Sequence, residues 1–251
     1  MQSRKGALVV MSALFFFLLI VPAVFAQSMV LIPAGEFTMG SPKGIGDNDE
    51  RPQHKVFLDA YRIDEYEVTV AQYKKFCEAT GRKMPSAPSW GWQDTHPIVN
   101  VSWDDAVAYA TNCGKRLPTE AEWEKAARAG ASTKYCFGDN ESDLKDYAWY
   151  YANANKQTHP VGTKKPNVFG LYDMHGNVWE WCSDIYDENY YSNSPTNNPK
   201  GPSSKDNDPQ RVYRGGSWFF KGGEFCRSAM RLRNVSAGAG EWIGFRCASS
   251  P

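Results

Sequence analysis

The stretch GKRLPTEAEWEKAARAG, residues 114–130, carries its own start and stop signals. Thr119 followed three residues later by Glu122 is a capping box: the hydroxyl takes the amide of the third helical residue, and the carboxylate reaches back to the amide of the cap. Trp123 and Ala126 then share one face, and Gly130 offers the left-handed backbone that ends a helix. The stretch predicts a short capped helix with its tryptophan turned inward. Upstream the same logic recurs. Ser102 and Asp105 stand at capping-box spacing, and Ala106, Val107, Ala110 and Cys113 form an apolar face before Gly114. Farther back, Thr69 caps a run in which Val70, Tyr73, Phe76 and Cys77 share a face before Gly81. On such faces Cys77 and Cys113 read as small core residues.

Around these helices the pattern is of short strands. Residues 29–32, 56–58 and 61–68 are apolar or alternating runs separated by Gly, Pro and Asp, and residues 211–218, 226–232 and 243–247 repeat the pattern near the C-terminus. Between them, residues 131–210 are rich in Asn, Asp, Gly, Pro and Tyr and show no sustained period. A compact domain rarely tolerates so long an irregular segment unless something holds it. Buried aromatics such as Trp149, Trp179 and Trp181, or a bound cation, are the candidates.

Arg4 and Lys5 precede an apolar run over residues 7–21, and Val24 and Ala26 supply small residues at a cleavage site, so residues 1–26 read as a secretory signal peptide. The run is shorter than the ~20 apolar residues of a spanning helix. This leaves a domain over residues 27–251 with no stable membrane anchor after cleavage, secreted or periplasmic. Its charge changes from 28 basic against 28 acidic residues to 26 against 28, which excludes the basic footprint of a nucleic-acid-binding protein. No linker, repeat or low-complexity tract divides it. All six cysteines lie in this part, without CxxC or zinc-ligand spacing; they are buried thiols or half-cystines.

The densest chemical signal is GLYDMHGNVWEWCSD, residues 170–184. Asp173 and Glu180 are carboxylates seven residues apart, with Gly176 and Asn177 placed to turn the chain between them. Hard cations such as calcium take this mixture of carboxylates and backbone carbonyls. A polar turn between two aromatic clusters is the alternative.

Several longer stretches resemble the formylglycine-generating enzyme family, also called sulfatase-modifying factors. They are MVLIPAGEFTMGS (29–41), DEYEVTVAQYKKFCEATG (64–81), HPIVNVSWDDAVAYATNCGKRLPTEAEWEKAARAG (96–130), HPVGTKKPNVFGLYDMHGNVWEWCSD (159–184), RVYRGGSW (211–218) and GFRCA (244–248). The resemblance implies a single compact α+β domain of low regular content, related to the C-type lectin fold and stabilised by calcium. It implies calcium ligands at Asp173, Gly176, Val178 and Glu180, the middle two through their carbonyls. A second calcium site of the family, beginning at Asn153 and Ala154, is not carried over, because the following stretch is too short.

The family's enzyme oxidises a cysteine of an unfolded sulfatase to formylglycine with oxygen, using two cysteines spaced CxxxxC that bind copper(I) as soft thiolates. Counted from Gly215-Gly216-Ser217-Trp218, those positions are Phe220 and Phe225 here. Neither is a cysteine, so copper is not expected, no catalytic residue is assigned, and Cys226 and Cys247 read as frame. The expected activity is that of a binding or accessory module for an exported peptide, protein or glycan, with a divergent protein-modifying oxidase as the alternative. Ser217, Trp218, Phe219, Phe220 and Phe225 are the candidate ligand groove, if the aromatics are exposed rather than buried in the core.

Overall fold

A computed structural model describes residues 27–203 and 209–251; the predicted signal peptide lies outside them. The chain enters through β1 (Met29–Ile32), β2 (Gly35–Met39), β3 (His54–Leu58) and β4 (Tyr61–Asp64). Three capped helices follow: α1 (Val70–Thr80), α2 (Trp103–Asn112) and α3 (Glu120–Arg128), then a single turn, α4 (Leu144–Tyr147). The remaining strands are β5 (Trp179–Ile185), β6 (Gln210–Arg214), β7 (Arg231–Val235), β8 (Ile243–Gly244) and β9 (Ala248–Ser249). Strands β1, β4 and β9 form one antiparallel sheet, and β2 pairs with β3. The largest sheet runs β7-β6-β5-β8, antiparallel except for the parallel β5–β8 pair. This is the α+β domain of modest regular content that the sequence implies.

Both predicted capping boxes form, on Ser102 with Asp105 and on Thr119 with Glu122, and the predicted cap Thr69 forms a third with Gln72. Helix α3 differs from its amphipathic reading, because all nine of its residues are buried. Its charged face is neutralised inside the protein. Glu120 and Glu124 hold Arg214 at 2.8 and 2.5 Å, Arg231 binds Glu120 at 2.7 Å, and Arg128 binds Glu124 at 2.8 Å. Burial opposes ionisation of Glu124, yet Arg128 and Arg214 hold its carboxyl below the ordinary value.

Strand β5 passes unseen in the sequence because five of its seven residues, Trp179 to Cys182 and Asp184, are buried, leaving no alternation to detect. It separates the two main core clusters. Trp179 and Trp181 pack with Tyr73, Phe76, Tyr109 and Phe245 on one side, while Cys182 packs with Trp123, Tyr61 and Ile63 on the other. Four predicted strands are shorter than expected, 61–68 ending at Asp64 and 243–247 at Gly244. The run over 211–218 breaks at Gly215 and Gly216, both at positive φ; a Cβ on Gly216 would meet the Cys226 sulfur at 2.7 Å. The run over 226–232 begins instead as a 3-10 turn, Gly223–Cys226, and becomes strand only at Arg231. The six cysteines are free thiols.

Candidate functional site

Where the stretch 173–180 enters β5, the buried Arg246 pairs with one buried carboxyl, Glu180, and feels two more, Glu67 and Asp173. Glu180 is clamped by Arg246, whose Nε and Nη2 donate to its two oxygens at 2.7 Å each, and it also accepts the indole N–H of Trp123 at 2.8 Å. Arg246 spends its other N–H groups on the carbonyls of Asp64, Glu65 and Tyr172, tying the stretch to the turn after β4. Asp173 sits at φ +60° and takes the Gly162 amide on Oδ2 at 2.7 Å, while its Oδ1 is buried without a partner. Glu67, fully buried, accepts from the Val178 amide and the Asn177 side chain. Gly176 is required sterically, since a Cβ there would stand 2.4 Å from the Trp149 carbonyl.

The charge of this cluster is unbalanced. Burial, followed by repulsion from Asp173 and Glu180, pushes the Glu67 carboxyl well above its ordinary range. Burial raises Asp173 to about 6, against the pull of the Gly162 amide and Arg246. Among the described residues no three His, Cys, Asp or Glu side chains converge as a metal cage. A cation here would therefore complete its shell with backbone carbonyls, the arrangement hard cations take. The unpartnered Asp173 Oδ1 and the excess of carboxyls over the one guanidinium fit such an ion. Glu180, predicted as a ligand beside Asp173, Gly176 and Val178, has both oxygens engaged by Arg246.

The predicted groove divides into a buried and an exposed part. Trp218 is only 7% exposed and donates its indole N–H to the Glu241 carbonyl at 2.9 Å; Ser217 is buried and accepts the Phe219 amide. These two are corrected from groove to frame. Phe220 and Phe225 lie against each other with ring centroids 5.3 Å apart, partly buried on the first core cluster, and Phe220 stands edge-on to Trp179 at 5.9 Å. Phe219, 45% exposed, stacks on Trp242 at 4.9 Å and leads through Trp218 to Trp90, edge-on at 5.2 Å. Trp90 and Trp242 went unassigned from the sequence, although their setting in SWGW (89–92) and EW (241–242) marked both loops as aromatic-rich.

Cys226 lies apart from this surface. It is buried with Tyr135, Leu144 and Ala148, its carbonyl contacts His175 Nδ1 at 2.8 Å, and burial followed by Glu141 and Glu224 pushes its thiol far up. Cys247 is likewise buried and its thiol raised, by burial first and Asp64 next. Neither has the electropositive, accessible setting of a reactive thiolate.

Fold, motifs and cluster together define a domain of the sulfatase-modifying factor type. The chain belongs to this family: the model described as "Sulfatase-modifying factor enzyme 1-like domain" matches residues 21–251. The formylglycine-generating enzyme of Streptomyces coelicolor is 35% identical over 89% of this chain and 89% of its own length. A stretch of the serine/threonine-protein kinase pkn1 of Chlamydia pneumoniae is 36% identical over 91% of this chain, covering 39% of the kinase. Among solved structures, PvdO from Pseudomonas aeruginosa is similar with a TM-score of 0.81 and 32% identity, covering 90% of this chain and 95% of PvdO. Treponema denticola variable protein 1 is similar with a TM-score of 0.77 and 30% identity, covering 89% and 95%.

Proposed function

We propose that this chain is an exported sulfatase-modifying-factor-like domain that binds a peptide, protein or glycan and does not oxidise cysteine. The observation that carries the reading is the contact between Phe220 and Phe225. Two phenyl rings occupy the positions where the resemblance implies a pair of thiolates, and the nearest cysteine in sequence, Cys226, is buried in another cluster. Phenyl groups offer no soft ligand to copper(I). What the surface offers instead is the exposed ring of Phe219 backed by Trp242, with the half-buried Trp90 held alongside through the buried Trp218, so that the Phe219 and Trp242 rings are placed to stack against a sugar face or an apolar side chain. Calcium at Asp173 would be the structural ion of the domain, binding with help from the Gly176 and Val178 carbonyls. The sequence similarity to enzymes named formylglycine-generating favours the second reading, a divergent oxidase.

An anaerobic copper(I) titration against a chromophoric chelator separates the two. The wild-type chain should take up no tightly held copper, and the Phe220→Cys/Phe225→Cys variant should gain one equivalent. Uptake of one tight equivalent by the wild type would remove the basis of the proposal.

A further inference from the structure

Glu67 lies in the stretch 64–81 but has no site role assigned from the sequence, yet the stretch 173–180 is built on it. Its Oε1 accepts the Val178 amide at 3.1 Å and its Oε2 accepts Asn177 Nδ2 at 2.6 Å, both across more than a hundred residues of sequence. Asn177 has a left-handed backbone, φ +61°, and is braced from the other side by His159, whose amide donates to Oδ1 at 3.0 Å and whose carbonyl accepts from Nδ2 at 3.2 Å. One buried carboxylate thus fixes both the side chain and the main chain midway between Gly176 and Glu180. Glu67, Asp173 and Glu180 set three carboxyls against the single guanidinium of Arg246. Lys164 acts on Asp173 only from the rim, where it is committed to the Lys145 carbonyl and the Trp149 ring.

We propose that Glu67 is the positioning residue of the cation loop: it holds the backbone between Gly176 and Glu180 in the shape that binds a divalent ion, and it supplies part of the charge the ion neutralises. The inference rests on the cation reading of Asp173, which stands on that residue's unpartnered, buried Oδ1. Glu67 acts through Asn177 and Val178, consistent with the absence of a three-side-chain cage among the described residues. Partners that orient the ligands of an ion typically change its affinity by about 10–100-fold when removed.

The test is calcium affinity of the purified chain, measured by competition with a chromophoric chelator, with circular dichroism as the check on folding. Glu67→Gln leaves an acceptor for Val178 but turns an amide toward the Asn177 amide, and should weaken calcium binding at least about tenfold. Glu67→Gln/Asn177→Asp reverses donor and acceptor between the two side chains and restores the charge while losing the hydrogen bond to the His159 carbonyl, so part of the affinity should return. Should the single variant fail to fold, Asn177→Gly, which keeps the left-handed backbone and removes Glu67's side-chain partner, should show the same weakening. Wild-type binding with unchanged affinity in the folded single variants, or no recovery in the double variant, overturns the role of Glu67 while leaving the cation site in place. A wild type that binds no calcium overturns both.

Discussion

At Asp173 a single oxygen decides how the acidic loop is read. Oδ2 has the Gly162 amide and Oδ1 has nothing, at a site buried from solvent, and an unpaired carboxylate oxygen in such a place costs stability until a proton or a cation meets it. Calcium at about a hundred times its dissociation constant should raise stability by ~2.7 kcal/mol, seen as an upward shift of the melting curve relative to chelator. Asp173→Asn should abolish most of that shift; an undiminished shift would place the ion elsewhere. Glu180→Gln should behave differently, lowering the melting temperature with and without calcium, because it also breaks the paired hydrogen bonds from Arg246. The cysteines give a second residue-scale prediction. Alkylation of the native chain should spare Cys226 and Cys247, and denaturation should expose both; rapid native labelling of Cys226 would restore a reactive thiol to the account.

Among the secondary elements, those with local signals were legible in the sequence and those made by tertiary contact were not. The caps at Thr69, Ser102 and Thr119 are written within four residues each, and all three form. Strand β5 is enclosed on both faces and paired on both edges, so its residues carry no alternation, and its charged Glu180 is satisfied by Arg246 from the far end of the chain. The interior charges of α3 were hidden for the same reason. Helical spacing marks Trp123 and Ala126 as core, whereas Arg128, Arg214 and Arg231 come to Glu120 and Glu124 only in the folded protein. Half of the candidate site was readable from the spacing of Asp173 and Glu180; Glu67 and the Trp90 and Trp242 rings required the fold. Because Arg214 joins β6 to α3 with both carboxylates buried, Arg214→Met should cost ~3 kcal/mol in a urea denaturation, the penalty of leaving buried charge undercompensated. A loss below half of that would mean that Arg128 and Arg231 suffice alone.

For the whole molecule, burial of acidic groups sets the pH dependence of stability. Asp184 is raised to about 7, by burial first and by Glu120 next, against hydrogen bonds from the Glu120 amide and Ser183. Its folded value lies above its ordinary value of 3.8, so both states hold the proton below pH ~4 and the unfolded chain releases it first as pH rises. Stability contributed by the protonated form is therefore lost between about pH 4 and 7, by an amount on the order of a few kcal/mol. Asp184→Asn should leave stability near pH 4 unchanged and raise it at pH 8; equal effects at both values would contradict the assignment.

On the same scale, one domain carries the family fold, an acidic loop suited to a cation and an aromatic surface, with phenyl rings where the family chemistry needs sulfur. The measurement that bears most directly on this account is incubation of the copper(I)-treated chain with oxygen and a peptide bearing the cysteine of a sulfatase motif, followed by detection of aldehyde. No aldehyde above a protein-free control is expected. Repeated turnover, more than one aldehyde per protein chain, would contradict it and make Phe220 and Phe225 bystanders to an oxidase of a different design.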